Sequence, residues 1–138
     1  DAKRAILLPA GFRALAELVA EQARLRDATA VGGMTMGADP VACAALAGGA
    51  DVKAFFVRKD AKQHGLARRV EGPLLDEHDR CLVVEDAPAG VTAARAAGMQ
   101  VIAVPDPGMR RDAFTDADLV VDSLADLDAD GFGALDRA

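Results

Sequence analysis

Apolar residues along the chain fall in short blocks set apart by polar turns, and the spacing within each block predicts the element it forms. Ala5, Ile6, Leu7 and Leu8 run into Pro9, a residue suited to the first turn of a helix. Phe12, Leu15, Ala16, Val19 and Ala23 then recur at helical spacing with Arg13, Glu17, Glu21 and Arg24 between them, which predicts an amphipathic helix packed on a sheet. Residues 28–33 form a short strand candidate. Pro40 suits the start of a helix over 41–46, Gly48-Gly49 ends it, and the β-branched, Phe-rich stretch 52–57 reads as a buried strand. Cys81-Leu82-Val83-Val84 predicts another buried strand, 91–98 a helix of small residues and 99–104 a further strand stopped by Pro105-Asp106-Pro107-Gly108. Residues 110–117 read as loop or a short helical turn, 118–122 as a last short strand, and the Asp-rich end as helical over 132–137. Strands alternating with helices predict a single α/β domain over 1–138, built on a doubly wound, mostly parallel sheet.

In such sheets ligands bind at the carboxyl ends of the strands. Glu85 and Asp86 stand there, closing the apolar run that starts at Cys81. Adjacent carboxylates on a rigid strand end can hold a hydrated Mg²⁺ or accept bonds from sugar hydroxyls. Asp86 also fits a plainer role as the cap of the helix that follows. Gly32, Gly33 and Gly37, ahead of Asp39-Pro40, permit a tight turn whose N–H groups approach an anion. The spacing matches neither the Walker nor the dinucleotide pattern, so a plain turn fits equally well.

Charge changes the picture at one place. The net charge is −6, which argues against nucleic-acid binding, yet Arg58, Lys59, Lys62, His64, Arg68 and Arg69 crowd one segment after the 52–57 strand. With Gly65 and Glu71-Gly72-Pro73 beside it, this segment reads as an anion-gripping loop, or else as a solvated charged hairpin. The 138 residues suffice for one core, and 51% are hydrophobic with no Trp or Tyr, so the interior should be small and aliphatic. Cys43 and Cys81 both lie in apolar runs and make neither a disulfide framework nor a zinc site, which predicts buried free thiols in a reducing cytoplasm. No apolar run approaches the ~20 residues of a membrane span. Asp1 opens the chain with neither an initiator Met nor a leader, as in a piece of a longer protein. Asp126-Leu127-Asp128-Ala129-Asp130-Gly131 imitates a calcium loop, but Arg137 stands at the twelfth position, where a bidentate Glu is required. Asp128-Ala129-Asp130-Gly131 likewise resembles a phosphatase nucleophile motif without the buried strand that should precede it.

Several stretches carry a family resemblance: Asp1-Ala2-Lys3-Arg4, Val31-Gly32-Gly33-Met34-Thr35-Met36-Gly37-Ala38-Asp39-Pro40, Phe56-Val57-Arg58-Lys59-Asp60-Ala61-Lys62-Gln63-His64-Gly65, Val70-Glu71-Gly72 and Val83-Val84-Glu85-Asp86. On these, residues 1–86 closely resemble the orotate phosphoribosyltransferases of the type I phosphoribosyltransferase family. The resemblance implies a Rossmann-like, type I phosphoribosyltransferase core. It implies transfer of phosphoribosyl from phosphoribosyl pyrophosphate to the pyrimidine base orotate, in pyrimidine nucleotide biosynthesis, with Mg²⁺. By the same resemblance the glycine-rich turn, Thr35 and Gly37 included, meets the pyrophosphate. Arg58, Lys59, Lys62 and His64 bind it from a loop that closes and reaches into a partner subunit's site, which implies a homodimer. Glu85 and Asp86 hold the ribose hydroxyls and the metal, and Lys62, Glu85 and Asp86 are the catalytic candidates. After Asp86 the family continues with a Thr- and Gly-rich loop for the 5′-phosphate, whereas this chain has Ala87-Pro88-Ala89-Gly90-Val91-Thr92. Ala89 stands where a phosphate- and orotate-contacting Thr is expected, and Asp106 is followed by Pro107 where an orotate-binding Arg is expected. Ala87, Pro88, Ala89 and Gly90 remain the phosphate-binding candidates through the amides of a helix start, with Thr92 as a hydroxyl donor.

Residues 81–124 resemble a second family, the haloacid-dehalogenase-type sugar-phosphate phosphatases of the β-phosphoglucomutase-like group. The carriers are Val84-Glu85-Asp86-Ala87-Pro88-Ala89-Gly90-Val91, residues 94–107 and Ala117-Asp118-Leu119-Val120-Val121-Asp122-Ser123-Leu124. This implies a Mg²⁺ site at Glu85 and Asp86, but the family's nucleophilic Asp pair is absent, so a phosphatase mechanism lacks its attacking group. Both families put an acidic pair between a parallel strand and a helix. A chimeric junction at residues 83–86 therefore keeps the two in register, with 87–138 completing the sheet. The leading expectation is the phosphoribosyltransferase. The alternatives are a phosphatase fragment and an inactive chimeric scaffold.

Overall fold

A computed structural model describes residues 3–59 and 69–127. A single helical turn, α1 (Lys3–Ile6), precedes α2 (Pro9–Leu25), which has Pro at its start and buries Leu15, Ala16, Val19, Ala20 and Ala23, the stripe that the 3.6-residue spacing marks. Then follow β1 (Ala30–Met34), α3 (Asp39–Ala47), β2 (Lys53–Val57), β3 (Val70–Glu71), β4 (Cys81–Glu85), α4 (Pro88–Ala96), β5 (Gln100–Ala103) and β6 (Leu119–Val120). Two 3₁₀ turns, Arg111–Phe114 and Leu124–Asp126, flank β6. Among the described residues the sheet has six strands, in the order β3-β2-β1-β4-β5-β6. All neighbours run parallel except β3, which is antiparallel to β2. The chain leaves β1 toward β2 and returns to its other side at β4, so the strand order reverses between β1 and β4.

Alternate strand residues face opposite ways, and both sides are covered. Val31, Leu82 and Ile102 pack with α2 and α3 on one face, whereas Ala30, Phe55, Val83, Val101 and Ala103 pack with Val91, Ala94 and Phe114 on the other. Full burial of Phe55, Leu82 and Ile102 contributes about 1.5–3 kcal/mol each. Two glycines set close approaches. A β-carbon on Gly48 would lie 2.1 Å from the Ala16 carbonyl oxygen, where α3 meets α2, and one on Gly32 would lie 2.3 Å from the Phe55 carbonyl oxygen and 2.6 Å from its ring. Gly32 is therefore the slot into which the cross-strand Phe55 packs.

At the amino edge of the sheet, charged groups are tied together. Asp79 accepts bonds from Lys53 Nζ at 2.7 Å, from Thr29 Oγ1 at 2.9 Å and from the Asp76 amide at 2.8 Å, with its side chain only 5% exposed. The Lys53 bond, chiefly, holds the Asp79 carboxyl down to about 2. Arg80 Nε donates to the Asp27 carbonyl at 2.6 Å, and the Arg80 amide to Thr29 Oγ1. These bonds fasten the starts of β1, β2 and β4.

The structure departs from the sequence reading in four places. Strand β2 is buried only at Phe55, because its outer neighbour β3 pairs with it at two residues alone. Residues 70–71 form that edge strand rather than part of a turn. Helix α4 starts at Pro88, not at 91. Cys43 is exposed and Cys81 half-buried, so the two are not both core thiols; burial pushes the Cys81 thiol up. Lys62, His64 and the tail 128–138 lie outside the described residues. No helix among the described residues is long and apolar enough to cross a membrane.

Candidate functional site

The carboxyl ends of β1, β2, β4 and β5 share one edge. Met34 pairs with Val57 and Glu85 with Ala103, and the β1–β4 register, Gly32 opposite Val83, carries Met34 to the level of Glu85. The glycine-rich turn and the acidic pair therefore leave neighbouring strands side by side.

A cleft of about 480 Å³ opens at this edge. Thr35, Met36 and Asp39 line it from the β1–α3 turn, Phe56, Arg58 and Lys59 from the end of β2, and Glu71 from β3. The Thr35 amide donates to the Val57 carbonyl and the Ala38 amide to Met34, which shapes the turn. The amides of Met36 and Gly37 make no hydrogen bond among the described residues. Gly33 is required by packing, since a β-carbon there would come 2.7 Å from Ala38 Cβ. Gly37 lies exposed in the turn, with open space around it and outside the cleft lining. Of the three glycines, only Gly37 belongs to the turn itself; Gly32 and Gly33 are strand residues.

The β2–β3 connection is stitched at its base. The Arg58 amide donates to the Arg69 carbonyl at 2.8 Å, and Arg69 Nη2 donates to the Lys59 carbonyl at 2.8 Å. Arg58 Nη1 also stands 3.6 Å from Glu71 Oε1. Two cations thus reach the cleft from the strand end.

Glu85 and Asp86 do not line that cleft; they sit one strand over. The Glu85 carboxylate turns back onto the start of α4, accepting the amides of Asp86 at 3.1 Å and Ala87 at 3.3 Å. Burial pushes the Glu85 carboxyl up, the two amides oppose this, and the adjacent Asp86 adds to it. Asp86 is exposed and caps nothing: Ala87 is the N-cap residue, without a side-chain bond. Pro88, Ala89 and Gly90 form the first turn of α4, and a β-carbon on Gly90 would lie 2.3 Å from the Glu85 carboxyl carbon. Thr92, the hydroxyl donor expected here, instead donates to Asp116 Oδ2 at 3.4 Å. No group of three His, Cys, Asp or Glu side chains among the described residues could cage a metal ion. Two carboxylates suit an ion that keeps most of its water and shares the substrate's oxygens, the usual habit of Mg²⁺.

A phosphoribosyltransferase from Corynebacterium diphtheriae has a solved structure 39% identical to this chain, with a TM-score of 0.61 over 75% of this chain and 71% of that one. The chain belongs to the phosphoribosyltransferase family. The orotate phosphoribosyltransferase of Corynebacterium glutamicum (strain R) is 45% identical over 112 residues, covering 75% of this chain. The chain spans 60% of that curated relative's length. The orotate phosphoribosyltransferase of Mycobacterium tuberculosis H37Rv, solved in complex with 5-phospho-α-D-ribosyl 1-diphosphate, is 33% identical at a TM-score of 0.57, over 75% of this chain and 65% of that one. No family model matches the chain.

Three quarters of 138 residues is about 104, and any stretch of that length must include residues 35–104. The phosphoribosyltransferase likeness therefore does not stop at Asp86, as the sequence reading has it, but runs through α4 and β5. Sequence reasoning also missed Asp39 and Glu71 as cleft residues. Asp39 reads as part of a helix start and Glu71 as part of a turn. Their only signal was membership of the motifs that carry the resemblance.

Proposed function

We propose that the chain transfers a phosphoribosyl group from phosphoribosyl pyrophosphate to orotate, with release of pyrophosphate. One observation carries this reading: Thr35, Arg58 and Lys59 converge on one cleft, beside the strand that ends in Glu85 and Asp86. The orotate phosphoribosyltransferases matched above support it. Displacing pyrophosphate from an anomeric carbon passes through an oxocarbenium-like state, with negative charge growing on the leaving oxygens. Arg58 and Lys59 face that charge, joined by the amide of Met36, and in the same reading by Lys62 and His64. Glu85 and Asp86 accept bonds from the ribose hydroxyls. Glu85 and Asp86 would also hold Mg²⁺ that arrives with the diphosphate, and the ion supplies charge neutralisation at the leaving group. In the same reading the start of α4, from Ala87 to Gly90, takes the 5′-phosphate in place of the family's hydroxyl-bearing loop; the Ala87 and Gly90 amides are already bonded to Glu85 Oε1 and to the Ala87 carbonyl, so transfer should be slow. No nucleophilic side chain is required.

In the same reading the chain works in the cytoplasm as a homodimer, the basic loop of Arg58, Lys59, Lys62 and His64 reaching into its neighbour's site, and light scattering of the purified chain tests the assembly. The test of function is orotate consumption, followed by ultraviolet absorbance, with phosphoribosyl pyrophosphate and Mg²⁺ present. Consumption that needs both, and that Arg58→Ala abolishes, is expected. Saturating reagents that leave orotate untouched overturn the reading.

A further inference from the structure

The cleft at the carboxyl edge contains two buried polar atoms of opposite kind, each without a partner among the described residues. Asp39 Oδ1 is an acceptor and Arg58 Nε a donor; both are buried, and neither makes a hydrogen bond among the described residues. Both residues line the same cleft. A buried donor or acceptor left unpaired is costly, so such a pair in one cavity points to a bond formed when side chains shift. The outer end of the Arg58 guanidinium faces Glu71 at 3.6 Å, an ion pair at the rim with the two side chains 42% and 37% exposed. An entering polyanion repels the Glu71 carboxylate and competes for the same nitrogen.

We propose that Asp39 is a positioning residue for Arg58: when a diphosphate enters, Arg58 Nε–H donates to Asp39 Oδ1, and this bond sets the plane of the guanidinium. Anchored through Nε, the side chain keeps Nη1 and Nη2 for two parallel bonds to phosphate oxygens. Asp39 is suited to the task, because it stands at the first position of α3 just before Pro40, on a rigid helix start rather than a free loop. Its negative charge is matched by the guanidinium and does not oppose the ligand. A lysine at 58 has no N–H in this position. The proposal rests on the reading of the cleft as a diphosphate site, and it adds to that reading the residue that orients the cation.

The test is titration calorimetry of the full chain with inorganic pyrophosphate and Mg²⁺, arranged as a double-mutant cycle. Asp39→Ala should weaken binding about tenfold, whereas Asp39→Asn, whose amide oxygen still accepts from Nε–H, should stay within about threefold of the parent. Arg58→Lys should weaken binding, and Asp39→Ala added to it should cost nothing more. Should Asp39→Ala fail to fold, Asp39→Ser keeps a helix-start residue but is too short to reach, and should show the same tenfold loss. Additive losses in the cycle, or equal losses for Asn and Ala, overturn the proposal alone. A parent chain that binds no pyrophosphate overturns it together with the reading of the cleft.

Discussion

The two edges of one sheet treat charge in opposite ways. At the amino edge Lys53, Asp79, Thr29 and Arg80 bond to one another or to backbone, and Asp79 has three donors for one carboxylate. At the carboxyl edge, among the described residues, Lys59 makes no ion pair, Arg58 has a single rim pair, and buried atoms of Asp39 and Arg58 go unpaired. The first arrangement holds strands together. The second leaves charge available to something that arrives. Strand polarity decides which is which, because parallel strands send every connecting turn before a helix to the carboxyl edge.

Substitutions can break this contrast. Arg58→Ala should lower pyrophosphate affinity about a hundredfold, by calorimetry, and leave the melting temperature nearly unchanged, since the pair it loses is an exposed one. Asp79→Ala should do the reverse, lowering the melting temperature by about 5 °C with pyrophosphate affinity preserved. Acid should expose the same asymmetry. The folded Asp79 carboxyl lies at about 2 against an ordinary 3.8, so its contribution is complete above the ordinary value and disappears as pH falls toward 2. Acid unfolding of Asp79→Asn should accordingly be flatter over that window than that of the parent. The smallest effect belongs to Glu85, whose carboxyl is raised by burial. A raised acid costs stability while it is charged, so Glu85→Gln should raise the melting temperature by about 2 °C at pH 7, and the gain should shrink as acid protonates the parent carboxyl.

Much of the fold was legible because burial follows period. Helix α2 carries an unbroken stripe from Phe12 to Ala23, and the strands at 30, 53, 81 and 100 are apolar runs with turn residues after them. Helix α3 shows the limit. It is apolar on nearly every side, so no stripe marks an outer face, and Cys43 reads as a core residue although it is exposed. Strand β3 exists through its pairing with β2 rather than through any pattern of its own, and Gly72, with φ +122 beside the Ala54 carbonyl, made the segment read as a turn. At the site, the cations and carboxylates announced themselves by type and by place at strand ends. Gly32 did not, because the ring that fills its slot comes from a neighbouring strand more than twenty positions away. Asp39 was hidden in the same way: its neighbours in the cleft come from β2 and β3.

The bare backbone at Gly90 governs how this turn could be rebuilt. Because the Glu85 carboxyl rests where a β-carbon at 90 would project, grafts that bring hydroxyl side chains to the turn should go to Ala89, which is exposed. A methyl at 90 would evict the acid from its seat. Position 90 and the conformation of Glu85 must therefore be redesigned together or left alone.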